Sequence, residues 1–254
     1  MTSLVELTVA APNVAVVTLN DPDRRNVLSA ELIGGLCAAL DEAEAVESVS
    51  AVVIAARGPA FCAGARLDTL LSAADGDFAP VEAVYEGFLR VMRSPLLTAA
   101  AVDGPAVGAG LNLALACDLR FAGPRARFDT RFARLRLHPG GGHLWLLQRA
   151  VGYQRAAAAC LLSEAWDAES ALRDGLVLAV EDDPAGAATA RLAAMAGLER
   201  DLARRMVASL RAEAELPVHG DALELETRAQ RWSTTLPGFV TGVRAMQAGI
   251  SGRR

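Results

Sequence analysis

Asp103-Gly104-Pro105-Ala106-Val107-Gly108-Ala109-Gly110 decides the fold. Leu96 to Val102, ahead of it, carries no charge and reads as a strand buried on both faces. Leu111 to Cys117, behind it, reads as an apolar helix. Strand, glycine-rich bend and helix in that order are the building unit of an α/β protein. The bend also has a chemical property. The first amides of a helix have no acceptor within it, and they sit at the positive end of its dipole. Negative charge is favoured there, and small residues let a ligand come close to the backbone.

A second turn of the same kind lies upstream. Ala51 to Ala55 is a continuous apolar run suited to a buried strand, and Phe61-Cys62-Ala63-Gly64-Ala65-Arg66-Leu67 follows it. One backbone N–H from each turn, aimed at a single oxygen, makes an oxyanion hole. Read singly, each is equally a tight turn that needs glycine for positive φ.

The remaining elements extend this pattern. Leu4 to Val9 and Val14 to Leu19 form a hairpin turning at Pro12-Asn13. Ser29 caps a helix in which Leu32, Leu36 and Leu40 share one face. Leu70 to Pro80, with Asp75-Gly76-Asp77, shows no period and is expected to be a mobile loop before a helix over Val81 to Met92. Leu119 to Phe121 is a third buried strand. Pro139-Gly140-Gly141-Gly142 breaks the chain before a helix from His143 to Val151. Asp167 caps a short helix ended by Gly175, and Leu176 to Val180 is the last strand. From Pro184 onward the pattern is helical, with a break at Pro217 to Gly220. The expected division is an α/β core over residues 1–185 and a helical region over 186–254.

Composition excludes several functions. All 25 basic residues are Arg, so Schiff-base, P-loop and Tyr/Lys mechanisms have no lysine to use. Gly104, Gly108 and Gly110 formally fit the GxxxGxG of short-chain dehydrogenases. Their Tyr-x-x-x-Lys pair is nevertheless absent, since Leu89 follows Tyr85 at that spacing and Ala157 follows Tyr153. No GxSxG occurs, and no metal-ligand spacing is present. The net charge of −5 argues against nucleic acid as a partner. Cys37, Cys62, Cys117 and Cys160 are far apart and read as reduced thiols. Glu6 interrupts any secretory leader, and the charge-free stretch from Gly104 to Cys117 is too short to cross a membrane. A cytoplasmic protein with no membrane partner is expected.

Several stretches, in order and at matching spacing, carry a resemblance to one family. Asn20 to Ser29 resembles the opening signature of the crotonase (enoyl-CoA hydratase/isomerase) family. Phe61 to Leu67 resembles its FCAGADL motif, and Ala101 to Phe121 its long glycine-rich signature. Pro139 to Gly152 and Leu161 to Val180 resemble two later stretches. The resemblance covers roughly residues 1 to 185. It implies a crotonase-type α/β core of repeated ββα units, with a helical C-terminal trimerisation region. It also implies an acyl-CoA thioester as ligand, coenzyme A entering as part of the substrate with no separate cofactor, and self-association to a trimer or hexamer. Ala65 and Ala109 would supply the two oxyanion-hole N–H groups, flanked by Ala63, Leu67 and Gly110. Arg24 and Arg25 sit where the family has basic residues near the coenzyme A phosphates; by themselves they are equally a solvated turn.

Two departures matter. The two glutamates that hydratases of the family use as acid and base fall at Asn112 and Phe132. Asparagine orients water but does not exchange protons at neutral pH, and phenylalanine does neither. Arg66 replaces the Asp of the GAD motif. The chain thus keeps the parts that polarise a thioester and lacks the usual proton-transfer pair. Candidate replacements are His138, beside Pro139, and Asp129 and Arg131, which flank the vacated position; His138 reads first as a packed or surface histidine and Asp129 as a turn or salt-bridge residue. Arg66 and Arg131 are candidates for binding a carboxylate on the acyl group, or else ordinary exposed arginines. His143 and Tyr85 are lesser candidates. A non-catalytic acyl-CoA-binding protein on the same fold is the alternative to an enzyme.

Overall fold

The computed structural model describes residues 3–251. Residues 1, 2 and 252–254, the outer ends of the expected core and helical region, lie outside the described residues. The chain divides into two compact units, the division falling after Met195.

The first unit is built on a six-stranded sheet. Val5–Ala11 (β1) and Val14–Leu19 (β2) pair as the expected antiparallel hairpin. Ala51–Ala56 (β3), Leu97–Val102 (β4), Leu119–Ala122 (β6) and Ala179–Val180 (β9) then add in parallel, giving the order β1-β2-β3-β4-β6-β9. A smaller sheet sets Pro105–Val107 (β5) beside Arg127–Asp129 (β7) and Trp166–Asp167 (β8).

The central strands show why continuous apolar runs are needed. Val52 and Ile54 of β3 face one core with Leu32, Leu36 and Leu40 of Ala30–Ala45 (α1) and Phe88 of Ala79–Met92 (α3). Ala51, Val53 and Ala55 face the opposite core with Ala188 and Leu192 of Pro184–Ala193 (α7). The period-two alternation of a strand thus feeds both faces, and neither face tolerates charge. Ser29 caps α1 as expected, its Oγ accepting the Leu32 N–H at 3.2 Å.

Three expectations change. Leu67–Ala74 forms a helix (α2) where the sequence pattern suggests a loop from Leu70. This helix buries none of its residues in the core, so the core-facing stripe that marks a helix in sequence is missing. The turn itself survives at Asp75-Gly76-Asp77, with Gly76 at φ 95°. The helix beginning at His143 (α5) runs on to Leu162, across a non-helical Gly152 at φ 75°. Only Ala179–Val180 of the expected last strand pairs, because the Leu176 and Val177 N–H groups turn back to the Ala171 carbonyl. The short helix before them, Ala168–Arg173 (α6), has the expected Asp167 cap, in a reciprocal pair with Ser170.

The second unit consists of Arg200–Glu213 (α8), His219–Ser233 (α9) and Pro237–Ser251 (α10). Within it Arg205 lies 4.5 Å from the centre of the Trp232 ring, and the Gly238 N–H donates to Glu199 at 2.8 Å.

Candidate functional site

The two glycine turns are laced together by backbone. The Cys62 N–H donates to the Pro105 carbonyl at 3.1 Å, and the Val107 N–H returns to the Cys62 carbonyl at 3.0 Å. Two glycines make the approach close enough. A side chain on Gly64, at φ 88°, would overlap the Val107 carbonyl, and one on Gly110 would overlap the carbonyl of Cys62. Gly110 is therefore a packing residue of the turn rather than a contact on the cavity. The opening segment holds the loop from the other side. The Leu28 N–H donates to the Gly64 carbonyl, and the Ala63 N–H to that of Arg25. Asn26 pins this segment, its Nδ2 donating to the carbonyls of Arg57 and Ala60 and its Oδ1 accepting from the Asp21 N–H.

Among the amides of these turns without an acceptor are those of Ala65 and Ala109. Ala109 opens a short helix, Ala109–Leu115 (α4), and its N–H finds no acceptor among the described residues. The same holds for Ala65. The position a Gly64 Cβ would take is 3.3 Å from the Ala109 nitrogen, so the segment carrying Ala65 packs on the helix that carries Ala109. Both residues line one cavity of about 450 Å³. An unpaired amide is costly in a dry interior but useful at a cavity wall, where a ligand oxygen can complete it.

The wall brings together Arg25, Ala63, Ala65, Arg66, Leu67, Ala109, Asn112, Arg131, Phe132 and His138 of the residues that the sequence singles out. Arg24 and Asp129 are not among them. Arg24 bonds Asp21 at 2.9 Å. Asp129 is buried and held by Arg131 at 2.7 Å, with Arg134 at 3.8 Å. Arg66 in turn bonds Asp68. The two arginines considered for a ligand carboxylate each already hold a carboxylate of the protein. His138 donates from Nδ1 to the adjacent Pro139 carbonyl at 2.8 Å. No Asp or Glu is among the described residues that line the cavity.

Sequence reasoning underrated two residues. Tyr85 of α3 lines the cavity, with its hydroxyl against Gly140; burial raises its pKa. His143 is buried at the start of α5, and its Nδ1 lies 2.5 Å from Asn112 Oδ1. Asn112 Nδ2 donates to the Gly140 carbonyl at 3.2 Å. This fixes the amide, because turning it over would set two oxygens face to face. Oδ1 then accepts from His143, so Nδ1 carries the proton. The Phe132 ring meets the imidazole edge-on, with centres 4.8 Å apart. Asn112 and Phe132 therefore both touch one buried histidine. The apolar wall formed by Leu70, Ala73, Phe78, Val81 and Val84 was also missed; its signal is the apolar side of α2, which serves a cavity instead of the core.

Burial pushes His143 from the ordinary 6.5 down to about 4. Between those values the unfolded chain binds a proton that the folded chain does not. Its contribution to stability is thus complete above pH 6.5 and is lost as pH falls towards 4, by on the order of 3 kcal/mol. Urea denaturation at pH 7 and pH 5 is expected to show a steeper loss in the wild type than in His143→Gln. Equal losses would show that this imidazole is not the buried neutral group described.

Two amides without an acceptor thus belong to residues that line one cavity of an α/β unit, beyond the strands of a mostly parallel sheet. The enoyl-CoA hydratase/isomerase family model matches residues 10–236, and the chain belongs to that family. It is 48% identical over 244 residues to a probable enoyl-CoA hydratase of Mycobacterium tuberculosis, covering 92% of this chain and 94% of that protein. The crystal structure of an enoyl-CoA hydratase/isomerase-type protein from Mycobacterium abscessus superposes with a TM-score of 0.86 at 32% identity, over 96% of both chains. An enoyl-CoA hydratase-type protein of Thermobifida fusca, crystallised with acetoacetyl-CoA, superposes with a TM-score of 0.79 at 27% identity, covering 92% of this chain and 95% of that one.

Proposed function

We propose that this protein binds an acyl-CoA thioester with its carbonyl oxygen between the N–H groups of Ala65 and Ala109, and that it catalyses a reaction passing through the enolate. The single observation that carries this reading is that Ala65 and Ala109, whose amides have no acceptor, line one cavity. Family membership and the acetoacetyl-CoA held by the Thermobifida neighbour support it. When an enolate forms, charge moves onto the thioester oxygen, and donors already in place stabilise that charge without rearranging. Coenzyme A then enters as part of the substrate and no separate cofactor is required. We assign Arg25, on the cavity wall, and the neighbouring Arg24, exposed in the same turn, to the nucleotide phosphates.

The reaction is of lyase or isomerase type, with proton transfer assigned to groups other than the two usual glutamates. His138 and Tyr85 are the candidates on the cavity wall. Asp129, fixed between two arginines, is the weaker one. A second reading, binding without turnover, is favoured by the absence of a carboxylate among the lining residues. A panel of acyl-CoA thioesters, titrated by calorimetry and incubated with product analysis by mass spectrometry, separates the two. Binding with product supports the enzyme, binding without product the carrier, and no binding overturns both.

Self-association is part of the same proposal. The second unit exposes Leu223, Phe239, Val240, Val243, Met246 and Ile250, more apolar side chain than a solitary helical unit ordinarily leaves in water. Light scattering at micromolar concentration is expected to give a trimer or hexamer, and monomer alone would refute it. No helix among the described residues is long and apolar enough to cross a membrane. With four free cysteines, we place the protein in the reducing cytoplasm, with no nucleic-acid partner.

A further inference from the structure

We infer that Asn112, aimed by His143, is a hydrogen-bond donor that selects acyl groups carrying an oxygen acceptor next to the thioester, the 3-oxoacyl class. This rests on the acyl-CoA reading and deepens it. Asn112 Oδ1 is turned to His143, which does not line the cavity, while Nδ2 is on the side of Gly140, which does. Asn112 itself lines the cavity although its side chain is almost wholly buried. Nδ2 carries two hydrogens, and Gly140 takes one. The second is the polar hydrogen that this residue has left for a ligand.

Its place relative to the oxyanion hole follows from the helix. Asn112 lies three residues after Ala109 on α4, so the two share a face and are separated by roughly 5 Å along the axis. A thioester oxygen held at Ala109 therefore sets the next carbons of the acyl group near Asn112. There the protein offers a donor, where a carboxylate would offer an acceptor. The Tyr85 hydroxyl stands beside the same Gly140 and adds a second polar group to this patch, whereas no Asp or Glu among the described residues lines the cavity. A wall rich in donors and poor in acceptors suits a ligand with more than one acceptor oxygen. A plain enoyl or saturated acyl chain has only its thioester carbonyl to offer.

His143 is on this account a positioning residue. Its Nδ1–H holds Oδ1 away from the cavity, and without that bond the amide is free to turn its oxygen towards the ligand. A structural role alone predicts loss of stability with no change in ligand preference.

The test compares 3-oxobutanoyl-CoA with butanoyl-CoA, which has the same length and lacks the second oxygen. Calorimetry on the full-length protein gives the ratio of their affinities. In wild type the oxo compound is expected to bind more tightly, and Asn112→Leu is expected to lower the ratio by roughly 3- to 10-fold. His143→Phe is expected to lower the ratio in the same direction, and His143→Gln, whose side-chain amide can donate to Oδ1, to restore part of it. Should Asn112→Leu fail to fold, Asn112→Asp keeps the shape and is expected to lower the ratio further by presenting oxygen to oxygen. An unchanged ratio in the Asn112 and His143 variants, with both thioesters still bound, overturns this inference alone. Failure of wild type to bind either thioester overturns the acyl-CoA reading and this inference with it.

Discussion

Hydration of crotonyl-CoA by this protein is expected to be slower by roughly 10⁴-fold or more than by a hydratase with two glutamates. Each general acid or base contributes about 10²- to 10⁴-fold, and the resemblance puts both at positions without a carboxylate, Asn112 and Phe132. The structure gives a reason why the replacements do not act in their stead. Asn112 is held by Gly140 and His143, and the N–H that it has left does not exchange a proton with substrate at neutral pH. Phe132 fills its place with a ring packed on His143. His143 itself, lowered to about 4 and enclosed, holds no proton on Nε2 to give at neutral pH. A coupled assay on crotonyl-CoA checks this. A rate comparable with an ordinary hydratase would mean that the active site lies elsewhere than this cavity. Restoring glutamate at both Asn112 and Phe132 is expected to raise the rate, provided that the cavity still positions a water molecule.

Much of this was legible in the chain because the signals were local. The strand-turn-helix around Gly104 to Gly110 needs only a buried apolar run, glycines and a following apolar helix. Ser29 and Asp167 announce their helices by capping chemistry, and both do cap. The family was legible for a different reason, the order and spacing of several motifs together. What escaped was set by contacts between distant residues. Nothing near His143 in sequence shows that it meets Asn112, 31 residues earlier, and its pattern is that of any first residue of a helix. α2 was hidden because its apolar side faces a cavity, so burial does not impose a stripe on it. The partners of Arg66 and Arg131 are each two residues away in sequence, at Asp68 and Asp129. Proximity was readable there, but the left-handed turn at Arg131, with φ 60°, was not.

Replacing Ala109 with proline is expected to lower acyl-CoA turnover by roughly 100-fold or more and ground-state affinity by a smaller factor. Removing one well-aimed oxyanion donor costs ~3 kcal/mol in the transition state, and ground-state binding uses less of that interaction. Proline removes the N–H outright and is accepted at the first position of a helix, which Ala109 occupies in α4. The preceding Gly108, at φ 54° and ψ −116°, lacks the Cβ that ordinarily conflicts with a following proline. Ala109→Gly keeps the donor and is expected to bind nearly as wild type does. Crowding by the ring against Gly64 is controlled by an amide-to-ester replacement at residue 109, which deletes the same N–H without added bulk. Calorimetry reads all three. A simple turn role for this segment predicts changes in stability with affinity preserved.

Two backbone N–H groups that polarise a thioester carbonyl weaken its C=O bond, and the infrared band of that carbonyl reads the effect in the complex. An acyl-CoA labelled with ¹³C at the thioester carbon gives a difference spectrum free of protein bands. Bound to wild type, the band is expected at lower frequency than for the same thioester in water, and to move back towards the free value in the Ala109→Pro protein. A band at the frequency of free thioester, in a protein shown by calorimetry to be saturated with ligand, would contradict the account.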